Sequence, residues 1–348
     1  MSPFRQRLPW LGGDFQTLRD TLRPVRLPID RGEAIKIKVP ALSSGAAGPG
    51  YLLAILDRPI KPARGLVLLL HGLGGSSRRE GLRRMALALQ QAGFAVLRLN
   101  LRGADPGRDL AAGTYAAECN SDIGPVLLRA RKLSQQLAND GNTPLPLLGA
   151  GISLGGTMLL NACLEPSHTP EPGKPVLDGL VCTSSPLDLA ACSASIERPR
   201  NRVYQRWLLK RLIRQTLADP FGVTAYEREV LNGAKGHRPP ATIREFDAAI
   251  TAPRWGYRDV DAYYQGASPL LALLEDSSRL PPTLLLQALD DPWVPADAAR
   301  ALTAKMSLFS NWRIQVQLTP HGGHNGFHGV GGCWGDQLVV RWLSQFGA

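Results

Sequence analysis

The 348-residue chain has no apolar run approaching the ~20 residues that a bilayer-spanning helix needs, which excludes a transmembrane helix. Its five cysteines, Cys119, Cys163, Cys182, Cys192 and Cys333, show no C-x-x-C or other ligand-like spacing. A scattered, odd set excludes a disulfide framework and fits reduced thiols in a reducing compartment. No internal repeat and no long low-complexity tract is present, so solenoids and propellers are excluded. Pro3 and Pro9 interrupt the basic N-terminus and Leu11-Gly12-Gly13-Asp14 follows, so the continuous apolar core of a secretory signal is missing. The expectation is a cytoplasmic protein. Acidic residues are the scarcer charge: 29 Asp and Glu against 40 Lys and Arg leave a net +11. An excess of that size admits nucleic acid, lipid headgroups or acidic substrates as partners.

What is present is the composition of a soluble globular chain, 44% apolar and 20% charged, long enough for two domains or for one large α/β unit with an insertion. Apolar runs of strand length occur at 65–70, 95–101, 145–148, 177–182, 283–289 and 314–318. Helical spacing fills 81–92, 123–137, 157–164, 296–306 and 334–346. Strands alternating with helices predict a mostly parallel, doubly wound sheet covered on both faces. Residues 34–39 and 52–56, separated by a turn at 43–50, predict an antiparallel hairpin on its edge. From 186 to 269 no convincing strand occurs, and the spacing is helical. The expected organisation is a catalytic core from 1–185 and 270–348, with 186–269 inserted as a helical cap.

Gly151-Ile152-Ser153-Leu154-Gly155 follows one predicted strand and opens a predicted helix, which is the setting of a nucleophile elbow. So tight a turn strains the serine backbone and requires near side-chain-free neighbours, which accounts for the glycines. A serine hydroxyl needs a base held by an acid. Asp290-Asp291-Pro292 follows the strand at 283–289, and His321-Gly322-Gly323-His324 follows the strand at 314–318. The order Ser, Asp, His, each at the carboxyl end of a strand, is that of α/β-hydrolases. Asp291, three residues before Val294, is preferred to Asp290 as the acid. His324, behind two glycines that free the loop to approach the nucleophile, is preferred to His321 and His328. His71-Gly72-Leu73-Gly74-Gly75 follows the strand at 65–70, so the backbone N–H groups of Leu73 and Leu154 are the expected oxyanion donors. A phosphate-loop reading fails, since no Lys-Ser or Lys-Thr pair follows and the glycines do not fit G-x-G-x-x-G. No metal or organic cofactor is implied.

At these places the chain resembles the α/β-hydrolase superfamily, and further stretches resemble its YheT-like branch, which includes the plant embryogenesis-associated proteins. These stretches are Trp10-Leu-Gly-Gly-Asp-Phe-Gln-Thr-Leu18, Leu99-Asn-Leu-Arg-Gly103, Ile243-Arg-Glu-Phe-Asp247 and Gly322-Gly-His-Asn-Gly-Phe327. The resemblance implies a serine hydrolase of carboxylic esters, including medium-chain or lipid-like acyl esters, whose partner is a small-molecule or lipid-like substrate. Leu101 stands where the branch usually has an aromatic residue, and Ile152 where a bulkier one is frequent. Arg244 and Asp247 are spaced to pair on one helical turn and pin the cap.

Between 197 and 214 stand Arg198, Arg200, Arg202, Arg206, Lys210, Arg211 and Arg214 against one acid, with apolar residues interleaved at helical spacing. Three readings follow: a helix lying on an anionic membrane, a rim attracting acidic substrates, or a packed helix with solvated charges. Nucleic acid is not expected, because no recognised module accompanies the charge. The second function class is a membrane-associated or scaffolding protein of the same fold with little turnover, interacting through this basic helix.

Overall fold

The computed structural model describes residues 2–42, 48–138, 144–169, 174–306 and 313–347. Eight strands form one sheet: β1 (Glu33–Val39), β2 (Gly50–Asp57), β3 (Leu66–Leu70), β4 (Ala95–Leu99), β5 (Leu147–Ile152), β6 (Gly179–Thr183), β7 (Thr283–Ala288) and β8 (Ile314–Thr319). Their order is β1-β2-β4-β3-β5-β6-β7-β8. β1 and β2 are the antiparallel edge hairpin, β2 pairs antiparallel with β4, and every later pairing is parallel. Of the turn expected at 43–50, residues 43–47 lie outside the described residues.

Period-two alternation divides each central strand between two cores. Leu66, Leu68 and Leu70 of β3 face one cluster with Ile123, Val126, Met158 and Leu159, while Val67 and Leu69 face the other with Leu82, Leu89, Val339 and Leu343. The first cluster seats the helices Asn120–Gln136 and Leu154–Leu164, and the second seats Glu80–Gln91 and Trp334–Leu343. Each such leucine, fully removed from water, contributes roughly 1.5–3 kcal/mol. The strand order reverses direction on either side of β3, because β4 lies beside it on one flank and β5 on the other. A crevice opens at the carboxyl ends of β3 and β5 at such a reversal. His71 follows β3 and Ser153 follows β5, so the crevice receives both loops.

Between β6 and β7 the chain forms helices and no strand. We label two of them α1 (Arg202–Leu217) and α2 (Ala225–Asn232). Local sequence sets their ends. Thr224 with Glu227, and Thr242 with Glu245, form reciprocal capping boxes, and Gly233 closes α2 in the left-handed region at φ 68°. Leu209, Leu212, Leu231, Phe246 and Ile250 make a separate small core, against which Leu73 packs. The expected Arg244 to Asp247 pair does not form. The Arg244 guanidinium reaches forward to Asp261 Oδ1 at 2.7 Å, whereas Asp247 turns inward to the hydroxyls of Thr251 and Tyr264. No helix among the described residues is long and apolar enough to cross a membrane.

Candidate active site

β5 ends at Ile152 and the next helix begins at Leu154, leaving Ser153 as the whole turn, at φ 54° and ψ −126°. A side chain at Gly155 would lie 2.6 Å from the Leu70 carbonyl oxygen, and one at Gly151 would lie 2.3 Å from Gly156 Cα. Only glycines at both positions allow so sharp a strand-to-helix turn.

The structure brings Ser153, His324 and Asp291 together. Ser153 Oγ lies 2.9 Å from His324 Nε2, and His324 Nδ1 lies 2.9 Å and 3.2 Å from the two Asp291 oxygens. The Asp291 side chain is 0% exposed. Its Oδ1 also accepts the backbone N–H groups of Trp293 at 2.8 Å and Val294 at 3.0 Å. An acceptor carboxylate at Nδ1 places the imidazole proton there and leaves Nε2 free to accept from the serine hydroxyl.

The duplicate residues stand elsewhere. Asp290 accepts the Gly323 N–H at 2.9 Å and meets the exposed His321 ring at 3.1 Å, so it fastens the histidine loop. His328 is buried against Asp20, 2.9 Å from Nε2 to Oδ1. Both glycines before His324 have positive φ, 146° at Gly322 and 57° at Gly323, so the loop uses the backbone freedom they provide. A side chain at Gly323 would lie 2.2 Å from the Gly13 carbonyl oxygen, so this glycine admits the helix Gly12–Leu22, whose Thr17 hydroxyl accepts the His324 N–H at 2.8 Å.

The loop after β3 lies against Ser153, and a side chain at Gly72 would come within 2.8 Å of Ser153 Cβ. Neither the Leu73 nor the Leu154 N–H has an acceptor among the described residues. Three neighbours hold this loop. The Gly74 N–H donates to the Tyr115 hydroxyl at 2.6 Å, and the Arg211 guanidinium of α1 donates to the Gly74 carbonyl at 2.5 Å. His71 accepts the Leu101 N–H at Nε2 and donates from Nδ1 to the Gly72 carbonyl. Burial pushes its pKa down to about 4, against the opposing pull of the Gly72 carbonyl, so the ring is neutral.

Ser153 and His324 open into a cavity of about 330 Å³. The core contributes Leu73, Leu154 and Val294 to its wall, and the helices between β6 and β7 contribute Leu189, Trp207, Leu208, Leu212 and Phe246. Trp293 lines this cavity with its ring on His324. Sequence reasoning missed Tyr115, which lies in a stretch without periodicity, and Arg211, visible there only as one of many charges. Among the described residues no group of three or more His, Cys, Asp or Glu is placed to hold a metal ion.

Residues 67–330 match the model of the alpha/beta hydrolase family. The chain belongs to that family. It is 30% identical over 293 residues to phospholipase ABHD3 of Bos taurus, covering 84% of this chain and 64% of that protein. It is also 30% identical over 289 residues to the putative esterase YheT of Escherichia coli K12, covering 80% of this chain and 76% of that protein. The embryogenesis-associated protein EMB8 of Picea glauca is 24% identical over 291 residues, covering 80% of this chain and 58% of that one. The chain thus spans less than two thirds of the length of the phospholipase ABHD3 relatives. Among solved structures, carboxyl esterase 2 of the fungus Tuber melanosporum superposes with a TM-score of 0.57 at 16% identity, covering 99% of this chain and 100% of that one. These findings bear out the fold and the branch that the motifs indicated.

Proposed function

We propose that the protein hydrolyses carboxylic esters through Ser153. The observation that carries this reading is the hydrogen-bonded chain from Ser153 through His324 to Asp291, opening into a largely apolar cavity. In this reading His324 takes the serine proton as Oγ attacks the ester carbonyl, and Asp291 holds the ring and supports the imidazolium. The carbonyl oxygen, now an oxyanion, takes the unpaired N–H groups of Leu73 and Leu154. His324 then protonates the leaving alcohol, and water, activated by the same ring, releases the acid from the acyl-enzyme. Relatives named as phospholipase and as medium-chain fatty acid ethyl ester synthase/esterase support lipid-like acyl esters as the substrate class.

Residues 186–269 act in this reading as a cap that roofs the site, since their helices supply much of the cavity wall. The exposed side of α1 adds a docking surface for anionic lipid. Arg202, Arg206, Lys210 and Arg214 stand at successive four-residue steps and are exposed, without a carboxylate partner among the described residues. Like charges at that spacing destabilise a helix by a few tenths of a kcal/mol per pair, so their alignment is a cost that an anionic surface would offset.

The test is covalent labelling by a fluorophosphonate. Wild type should label and Ser153→Ala should not, with both folded by circular dichroism. A folded wild type that stays unlabelled would refute the serine hydrolase reading.

A further inference from the structure

Asp247 stands in the wall of the same cavity as Ser153 and His324. It begins the π-helical turn Asp247–Thr251, a geometry that is rare and frequent at functional sites. Its Oδ1 accepts from the Thr251 hydroxyl at 2.7 Å and its Oδ2 from the Tyr264 hydroxyl at 2.9 Å. Two hydroxyls leave a carboxylate unsaturated, since its oxygens offer about four acceptor positions.

No cation makes an ion pair with Asp247 among the described residues. Arg244, on the same stretch of helix, is committed to Asp261. Arg79 also lines the cavity, and no ion pair joins it to Asp247. Burial pushes the Asp247 carboxyl up to about 6, with the two hydroxyls pulling it part of the way back, so the anion predominates at neutral pH. An anion kept in a largely apolar cavity costs stability that a neutral side chain of the same shape would avoid. The same cavity wall holds the rings of Phe246 and Tyr263, whereas Trp207 and Tyr264 already carry the Arg211 and Arg244 guanidinium groups at 5.1 Å and 5.6 Å. Aromatic faces attract organic cations, ammonium groups above all.

We propose that Asp247 and the rings of Phe246 and Tyr263 form a subsite for a positively charged ammonium group carried by the ester substrate. This subsite rests on the ester hydrolase reading and narrows its substrate class to esters that bear an amine or quaternary nitrogen. The carboxylate supplies the countercharge, the rings supply an apolar wall that still favours a cation, and the reacting ester reaches Ser153 through the shared cavity.

The test uses choline and 3,3-dimethylbutanol, two alcohols of nearly the same shape in which a neutral carbon replaces the charged nitrogen. Binding is measured by calorimetry on the full chain carrying Ser153→Ala, so no turnover enters. Choline should bind at least about 10-fold more tightly than the neutral alcohol, and Asp247→Asn in the same background should weaken choline by about 10-fold and the neutral alcohol far less. Equal affinities for the two alcohols overturn the subsite. So does undiminished choline binding in folded Asp247→Asn. Should that variant fail to fold, the comparison of the two alcohols decides alone. Fluorophosphonate labelling of wild type separates the two readings: labelling without choline preference removes the subsite only, and choline preference without labelling removes the hydrolase reading only.

Discussion

The indole of Trp293 lies on the imidazole of His324, with ring centroids 4.4 Å apart and planes 32° apart. Tyr204 packs edge-on against the Trp293 ring at 5.4 Å, and its hydroxyl is 3.0 Å from Asp14 Oδ1. In the proposed mechanism His324 takes the serine proton and becomes a cation facing an aromatic ring. Such a contact is worth about 0.5–2 kcal/mol, depending on desolvation. Trp293→Ala should therefore slow phosphonylation of Ser153 and ester turnover by about 2- to 30-fold, with Trp293→Phe in between. The Asp291 contacts survive either change, because they come from backbone N–H groups. An alanine variant as fast as wild type would reduce the indole to a space-filler.

Asp290 and Asp291 are adjacent in sequence and differ in what they touch. Asp291 holds His324 Nδ1, while Asp290 fastens Gly323 and the exposed His321. Asp291→Asn offers the ring an amide in place of a charged acceptor and should lower kcat by about 10⁴-fold, as loss of the orienting acid does in serine triads. Asp290→Asn keeps an acceptor for the Gly323 N–H and should stay within about 10-fold of wild type. Steady-state kinetics on the two variants decides between them, and a reversed order would move the acid to Asp290.

His71 predicts a pH dependence of stability. The unfolded chain takes up a proton at an ordinary histidine value near 6.5, whereas the folded ring refuses it until about pH 4. The folded pKa is depressed, so the contribution is complete above pH 6.5 and is lost as pH falls from there through about 4. The whole effect is of order 3 kcal/mol for this buried ring. Urea unfolding at pH 7.5 and pH 4.5 should show a larger loss for wild type than for His71→Asn, whose amide does not titrate. Parallel losses in the two proteins would contradict the assignment.

The strand ends and their loops were legible in the sequence because each carries its own local constraint. The turn at Ser153 admits glycine and nothing larger at Gly151 and Gly155, and the apolar runs of β3 and β4, five residues each, are of strand length and fully buried. Residues that act across distance were not legible. Arg211 reaches Gly74 across 137 positions and Tyr263 reaches Ala117 across 146, and no periodicity in either stretch records such a partner. Arg244 shows the same limit in reverse. Helical spacing allowed it Asp247, but the fold brought Asp261 within 2.7 Å and left Asp247 to the cavity.

The charge on α1 divides into an inward and an outward set that substitution can separate. Arg211 is committed inward, donating to the Gly74 carbonyl and lying 5.1 Å over the Trp207 ring. Arg202, Arg206, Lys210 and Arg214 point to solvent beside the exposed Val203 and Trp207. Each basic side chain near an anionic bilayer contributes about 1 kcal/mol, and the contribution is screened by salt. Reversing Arg206, Lys210 and Arg214 to Glu should abolish co-sedimentation with phosphatidylserine vesicles while leaving the labelling rate of Ser153 near that of wild type. Arg211→Ala should do the opposite, slowing labelling by about 10-fold through a loosened oxyanion loop and leaving vesicle binding nearly intact. Equal binding of wild type to phosphatidylserine and phosphatidylcholine, or binding to neither, would return the four cations to plain solvation. A triple reversal that also stopped labelling would mean that the outer row supports the site itself.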